Sequence, residues 1–243
     1  MEKEYLQETD FEIDFSPYLE YFNRIGKSSD NIILEHNFLS DDEIKLIRSY
    51  LNTHKDNPEF SGGKDLRDFT VKEENLAVYN LMLSSEQKIW DRIQERYAKR
   101  YNVQYKREPV NQFHFVKWHE NMASGLHSDC ERPDGTPAFH ANFYQLNLSV
   151  LVYINDDYEG GLINFPAHNK SIKPKPGDMI MFPSNGAYRH EVTRIESGLR
   201  YTMPGWYTFD IDVEKELQVE YDHEDSVILW VNKGESIKGI THV

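Results

Sequence analysis

The chain has 243 residues, 39% of them hydrophobic and 13% aromatic, which is ample for one sizeable core and argues against global disorder. A net charge of −14 and a pI near 5.1 deny it the basic footprint of a general nucleic-acid binder, and anionic membrane surfaces would repel it. The single cysteine, Cys130, excludes an internal disulfide. The acidic start MEKEYLQETDFEIDF lacks the apolar run of a signal peptide, and no stretch approaches the ~20 apolar residues of a membrane span. A soluble cytoplasmic protein without nucleic-acid or membrane partners is expected.

Residues 1–29 have no sustained period and predict a flexible lead-in. From 30 to 107 the pattern is helical. Ser40 and Glu43 have capping-box spacing ahead of Ile44, Ile47 and Leu51. The polar stretch 54–75, with Gly62-Gly63, reads as a mobile loop. A second helix is predicted from Ser84, with Gln87 as its capping partner and Ile89, Ile93, Tyr97 and Tyr101 on one core-facing stripe. Between 108 and 212 the pattern changes to short aromatic and β-branched runs broken by Gly, Pro, Asn and Asp. Asn155-Asp156-Asp157, Gly160-Gly161 and Pro176-Gly177 are the clearest breaks, and the whole predicts an antiparallel sandwich or barrel. In the acidic extension 213–243, Val227 to Val231 predict an edge strand. The expected class is therefore α+β, with helices before a β core.

Of the ten histidines, His127 stands out because His127-Ser128-Asp129 is a His-x-Asp triplet. Residues i and i+2 of a strand share a face, so the imidazole and carboxylate can converge on one cation. A third ligand must come from a distant strand, and His190, just after the run DMIMFPSNGAYRH, fits. Two histidines and one carboxylate form the facial set of non-haem iron(II) oxygenases, which keeps positions open for a bidentate 2-oxo acid and dioxygen. Four protein ligands, as in structural zinc sites, would leave no such room.

Further motifs extend the pattern. LSVLVYINDDYEGGLINFP, KPKPGDMIMFPS, Arg200 at its spacing after His190, and RYTMPGWYTFD resemble the prolyl 4-hydroxylase-like branch of the Fe(II)- and 2-oxoglutarate-dependent oxygenases. The likeness covers about 108–210, and the NFLSDDE helix entry is also similar to that group. It implies a double-stranded β-helix (jelly-roll) core with the N-terminal helices packed on it. It also implies Fe(II), 2-oxoglutarate and O2 as cofactor and cosubstrates, with ascorbate in support. Tyr153 aligns with a tyrosine that the family uses on the distal carboxylate of 2-oxoglutarate. Arg200 offers that carboxylate a bidentate fork, and Thr202, two residues on, adds a hydroxyl. Asn147 and Ser149 share the Tyr153 face by alternation, and Trp206 offers an apolar wall, so Trp206 and Asn147 are candidate substrate contacts. The sequence departs from the family at Leu162 and Ile163, where Glu-Thr is common, and in using Arg rather than Lys as its basic residue.

The resemblance implies hydroxylation of a substrate with release of succinate and CO2, and the presence of Asp129 favours that outcome over halogenation. A proline-containing peptide or protein is the leading substrate, with the loops 54–75 and 130–145 as lids. A free amino acid or other small molecule is the alternative. A cupin-type dioxygenase lacks support because the usual His-x-His and Glu are missing. A metal-free β-sandwich binding module is opposed by the intact triad together with Arg200.

Overall fold

A computed structural model describes residues 3–6, 11–13, 16–56, 66–110, 112–132, 135, 145–211, 218–221, 227–232 and 240–242. The chain begins with strands β1 (Lys3–Leu6) and β2 (Phe11–Ile13), helix α1 (Ser16–Ile25), β3 (Ile33–Glu35) and α2 (Asp41–His54). Then come β4 (Leu66–Arg67), α3 (Asp68–Glu74), α4 (Leu76–Ile93), β5 (His114–Trp118), β6 (Ser124–His127) and β7 (Leu148–Tyr153). The next strands are β8 (Tyr158–Gly160), β9 (Ile163–Phe165), β10 (Lys170–Ile172), β11 (Met179–Pro183), β12 (His190–Val192) and β13 (Ile195–Gly198). Last come β14 (Arg200–Tyr207), β15 (Gln218–Tyr221), β16 (Val227–Asn232) and β17 (Ile240–His242).

Two antiparallel sheets face each other. The larger has the order β3-β11-β7-β14-β5-β4 and the smaller β10-β9-β12-β6, while β8 and β13 pair as a side hairpin. Alternation along the larger sheet divides its side chains between two cores. Val150, Val152, Met179, Met181, Met203 and Tyr207 point to the helices. Tyr153, Ile180 and Phe182 point inward, where they meet Ile163 and Phe165 of the smaller sheet. This is the jelly-roll of an α+β chain.

The helical layer departs from expectation in three places. Residues 16–25 are not a loose lead-in: α1 buries Tyr18, Phe22 and Ile25, and the Phe22 ring meets Phe209 edge-on at 4.9 Å. Three apolar residues at helical spacing, set among charges, were too sparse a signal, and only the Phe209 surface makes them a stripe. Residues 33–35 and 66–67 supply the two outer strands of the larger sheet, so the stretch 30–107 is not helical throughout. The second long helix starts at Leu76, capped by Asn75, whose side chain accepts from the Val78 amide. Ser84 lies inside it and donates back to the Leu81 carbonyl, the usual fate of a mid-helix serine. The stripe Ile89, Ile93 and Tyr97 is fully buried, with Tyr101 packed beside it, and it continues through a π turn over Gln94–Ala98. The capping box at Ser40 and Glu43 forms as expected.

Part of the stretch 54–75 is regular: α3 buries Val71, and Glu74 accepts a hydrogen bond from Tyr50. Residues 57–65, 133–134 and 136–144, which carry most of the two expected lids, lie outside the described residues. The Val227–Val231 run is a strand, but a central one, between β1 and β15 of a separate three-stranded sheet. No described helix is long and apolar enough to cross a membrane.

Candidate metal and 2-oxoglutarate site

His127 ends β6 and His190 begins β12, and the two are paired across the antiparallel ladder of the smaller sheet. Asp129 lies just past the end of β6 rather than on it. Its amide donates to the Ser184 carbonyl at 3.1 Å, which turns the chain toward the larger sheet. Ligand atoms of His127, Asp129 and His190 all lie within 4.8 Å of one another.

Second contacts orient each of the three. His127 Nδ1 lies 2.7 Å from the Gly125 carbonyl and His190 Nδ1 lies 3.3 Å from the Tyr188 carbonyl, so both rings carry their proton on Nδ1. Each Nε2 therefore presents a lone pair to Asp129 Oδ1, at 3.2 Å from His127 and 3.8 Å from His190. Three acceptors converging without a shared proton need a cation, and two imidazoles with one carboxylate suit a borderline metal such as iron(II). Burial pushes the His190 imidazole pKa down, favouring the neutral ring that a metal needs, while the Asp129 carboxylate beside it raises that of His127. Burial alone would raise the Asp129 pKa, but the adjoining His190 and His127 rings and the hydrogen bond from Ser149 hold it well below the usual carboxylate range.

A cavity of about 270 Å³ opens on this triad. Its walls are mostly apolar: Val116 and Trp118 of β5, Leu151 of β7, Ile163 and Val192 of the smaller sheet, and Pro204 and Trp206 of β14. Thr202 and His114 add polar groups. Along β14 the inward positions are Arg200, Thr202, Pro204 and Trp206, opposite Trp118, Val116, Tyr153, Leu151 and Ser149 on the neighbouring strands.

Arg200 is fully buried (0% exposed), with its guanidinium 5.1 Å from the Trp118 ring centre and 5.2 Å from that of Tyr153. A long 3.5 Å contact joins Arg200 Nη2 to the Tyr153 hydroxyl, whose pKa burial pushes up to about 12 against the pull of Arg200. Arg200 Nε and Nη1 have no hydrogen-bond partner, and among the described residues no carboxylate pairs with this cation. A buried, unpaired fork costs several kcal/mol, on the order of a buried ion's desolvation penalty, unless a ligand satisfies it. The distal carboxylate of 2-oxoglutarate matches it in charge and shape.

The structure thus brings His127, Asp129 and His190 together and sets Thr202 in the cavity wall, with Arg200 and Tyr153 buried next to it on β14 and β7. It does not bring Asn147 to the cavity. That side chain is fully buried and accepts from Thr208 Oγ1 and the Phe209 amide, tying the end of β14 to the start of β7. Trp206 is more than an apolar wall, because its indole N–H donates to Asp129 Oδ2 at 3.1 Å. Sequence reasoning missed Trp118, which stacks on Arg200, and Ser184, which supports Asp129. Alternation along FHFVKW and IMFPS carried both signals, but only the strand register aligns them with the site.

A jelly roll that gathers two histidines and one carboxylate near a buried arginine has the donor set of a mononuclear non-haem iron oxygenase site. Residues 111–208 match the family model described as the 2OG-Fe(II) oxygenase superfamily. Human (Homo sapiens) prolyl 3-hydroxylase 2 is 42% identical over 69 residues, which is 26% of this chain and 10% of that protein. The match thus spans only a tenth of that relative's length. A PKHD-type hydroxylase of Prochlorococcus marinus is 25% identical over 213 residues, covering 81% of this chain and 92% of the other. A prolyl hydroxylase of Trichoplax adhaerens, solved with a peptide fragment of the hypoxia inducible factor oxygen degradation domain, superposes with a TM-score of 0.56. That superposition, at 18% identity over 74% of this chain and 84% of the other, is a likeness of fold.

Proposed function

We propose that this chain is a 2-oxoglutarate-dependent dioxygenase that hydroxylates a peptidyl proline. One observation carries the reading: three convergent acceptors at His127, Asp129 and His190 open on a cavity lined by Thr202 and Trp118, and the buried guanidinium of Arg200, with two nitrogens unpartnered, lies behind these, two residues from Thr202 on β14 and over the Trp118 ring. Iron(II) bound by the triad, with O2 and 2-oxoglutarate, would supply the oxidising power to insert oxygen into an unactivated C–H bond as succinate and CO2 form. The protein's part is positioning. Arg200, with Tyr153 and Thr202, would anchor the distal carboxylate and fix the depth of the cosubstrate. Leu151, Ile163 and Val192 would keep water from the space between anchor and triad.

The substrate assignment rests on the apolar wall to which Trp206 and Pro204 contribute, which suits a pyrrolidine ring that has no N–H to donate. Likeness to prolyl hydroxylases supports it too. The acidic balance of the chain favours a neutral or basic peptide. Ascorbate would support turnover by keeping the iron reduced. The test is mass spectrometry of proline-containing peptides incubated with Fe(II), 2-oxoglutarate and ascorbate. Gain of one oxygen atom on proline is expected. Succinate release with a free amino acid and none with peptides would overturn the peptide reading while keeping the oxygenase.

A further inference from the structure

Asp129 carries a set of hydrogen bonds that the metal reading does not require. Its two oxygens have different surroundings. Oδ1 faces the two Nε2 atoms. Oδ2 accepts from two donors on the opposite sheet, the Ser149 hydroxyl of β7 and the Trp206 indole N–H of β14. Ser149 and Trp206 are register partners, so the two donors are fixed on one rung of the sheet. Behind them lies a third group. Ser149 Oγ is 2.6 Å from Ser184 Oγ, and both serines are fully buried. A hydroxyl has one proton, and that of Ser149 goes to the carboxylate, so Ser184 must donate to Ser149. The Ser184 carbonyl also receives the Asp129 amide, which fixes the residue at backbone and side chain alike.

We propose that Ser149 and Trp206, backed by Ser184, are positioning residues that saturate Asp129 Oδ2 and leave Oδ1 alone to the metal. This rests on the metal reading of the triad and deepens it. A carboxylate free to swing can bind through both oxygens and occupy a position that the cosubstrate or O2 requires. Two donors from a rigid sheet prevent that swing, and the hydroxyl chain polarises the inner donor. Trp206 has a double placement, since its indole N–H bonds the ligand carboxylate while its side chain lines the cavity. Whatever presses on that ring is thereby in contact with the metal ligand.

The experiment uses Co(II) as an oxygen-stable probe of the site in the full chain, reading affinity by titration and coordination by visible absorption. Ser149→Ala and Trp206→Phe are each expected to weaken Co(II) by roughly ten- to a hundredfold, the usual effect of losing an outer-shell partner. Their spectra should also shift toward higher coordination as the carboxylate becomes bidentate. Ser184→Ala, which touches no ligand through its side chain, should give a smaller loss in the same direction. Thermal unfolding of each variant separates a fold defect from a site defect, and the spectral shift is a signature that loosened packing alone would not produce. Wild-type affinity and spectrum in folded Ser149→Ala and Trp206→Phe proteins would overturn the positioning role and leave the metal site standing. Failure of the wild type to bind Co(II), or full binding by Asp129→Ala, would overturn the metal reading and this role with it.

Discussion

His127 and His190 stand opposite each other on the β6–β12 ladder, their ring centres 4.4 Å apart. Cross-strand pairing thus places both imidazoles on one face of the smaller sheet, and Asp129 closes the triangle. His190→Ala or Asp129→Ala is expected to abolish tight Co(II) or Fe(II) binding. His119→Ala, at a site apart from the triad, should bind as the wild type does. Isothermal titration checks this, and an essential His119 beside a dispensable Asp129 would refute the triad.

Arg200 should behave oppositely in the absence and presence of cosubstrate. Its cation lies buried without a carboxylate partner, so Arg200→Met removes a desolvation cost and should leave the unliganded protein at least as stable. The same variant should lose the rise in unfolding temperature that 2-oxoglutarate gives the wild type, and at least about a hundredfold in affinity for it. An Arg200→Met protein that 2-oxoglutarate still stabilises fully would remove Arg200 from the cosubstrate site.

Gly160 tests the backbone at the end of β8, where the chain packs on Arg194. Its φ is +74°, and a Cβ there would sit 2.0 Å from the Arg194 carbonyl oxygen. Relaxing this contact means displacing backbone, so Gly160→Ala should destabilise by more than about 1 kcal/mol in urea unfolding. Gly125→Ala, where a Cβ meets nothing within 4 Å, serves as the tolerated control.

The α2 capping box predicts a pH effect. Partial burial raises the Glu43 carboxyl pKa, but hydrogen bonds from Lys88 and Ser40 outweigh it, leaving the pKa below its ordinary 4.5. A depressed acid contributes stability that is present above the unfolded value and is lost as pH falls through the folded one. Glu43→Gln should therefore destabilise the protein at neutral pH, by about 0.5–1 kcal/mol for an exposed cap and ion pair. The difference from wild type should vanish well below pH 4.5. Equal gaps at both pH values would show that charge plays no part.

Local chemistry alone determined a good deal here. His127-Ser128-Asp129, the strand-like runs after residue 108, the capping box at Ser40 and the Gly160-Gly161 break all depend on neighbours within a few residues, and each has a physical signature in the chain. What depended on long-range register did not. Ser84 satisfies capping-box spacing, yet Asn75 caps the helix, because Val78, Leu81 and Met82 find a core to bury against. Tyr18, Phe22 and Ile25 are a sparse scatter in sequence, and they join the core where the Phe209 ring meets Tyr18 and Phe22. Asn147 and Ser149 share a face by alternation, but one is taken up by the Phe209 amide and the other by Asp129. Trp206 reads as an apolar wall in sequence and as a hydrogen-bond donor to a candidate metal ligand in the fold. Alternation states which way a side chain points. Only the packing of two sheets decides what waits there, because the partners lie on strands far apart in the chain and their alignment is set by the core as a whole.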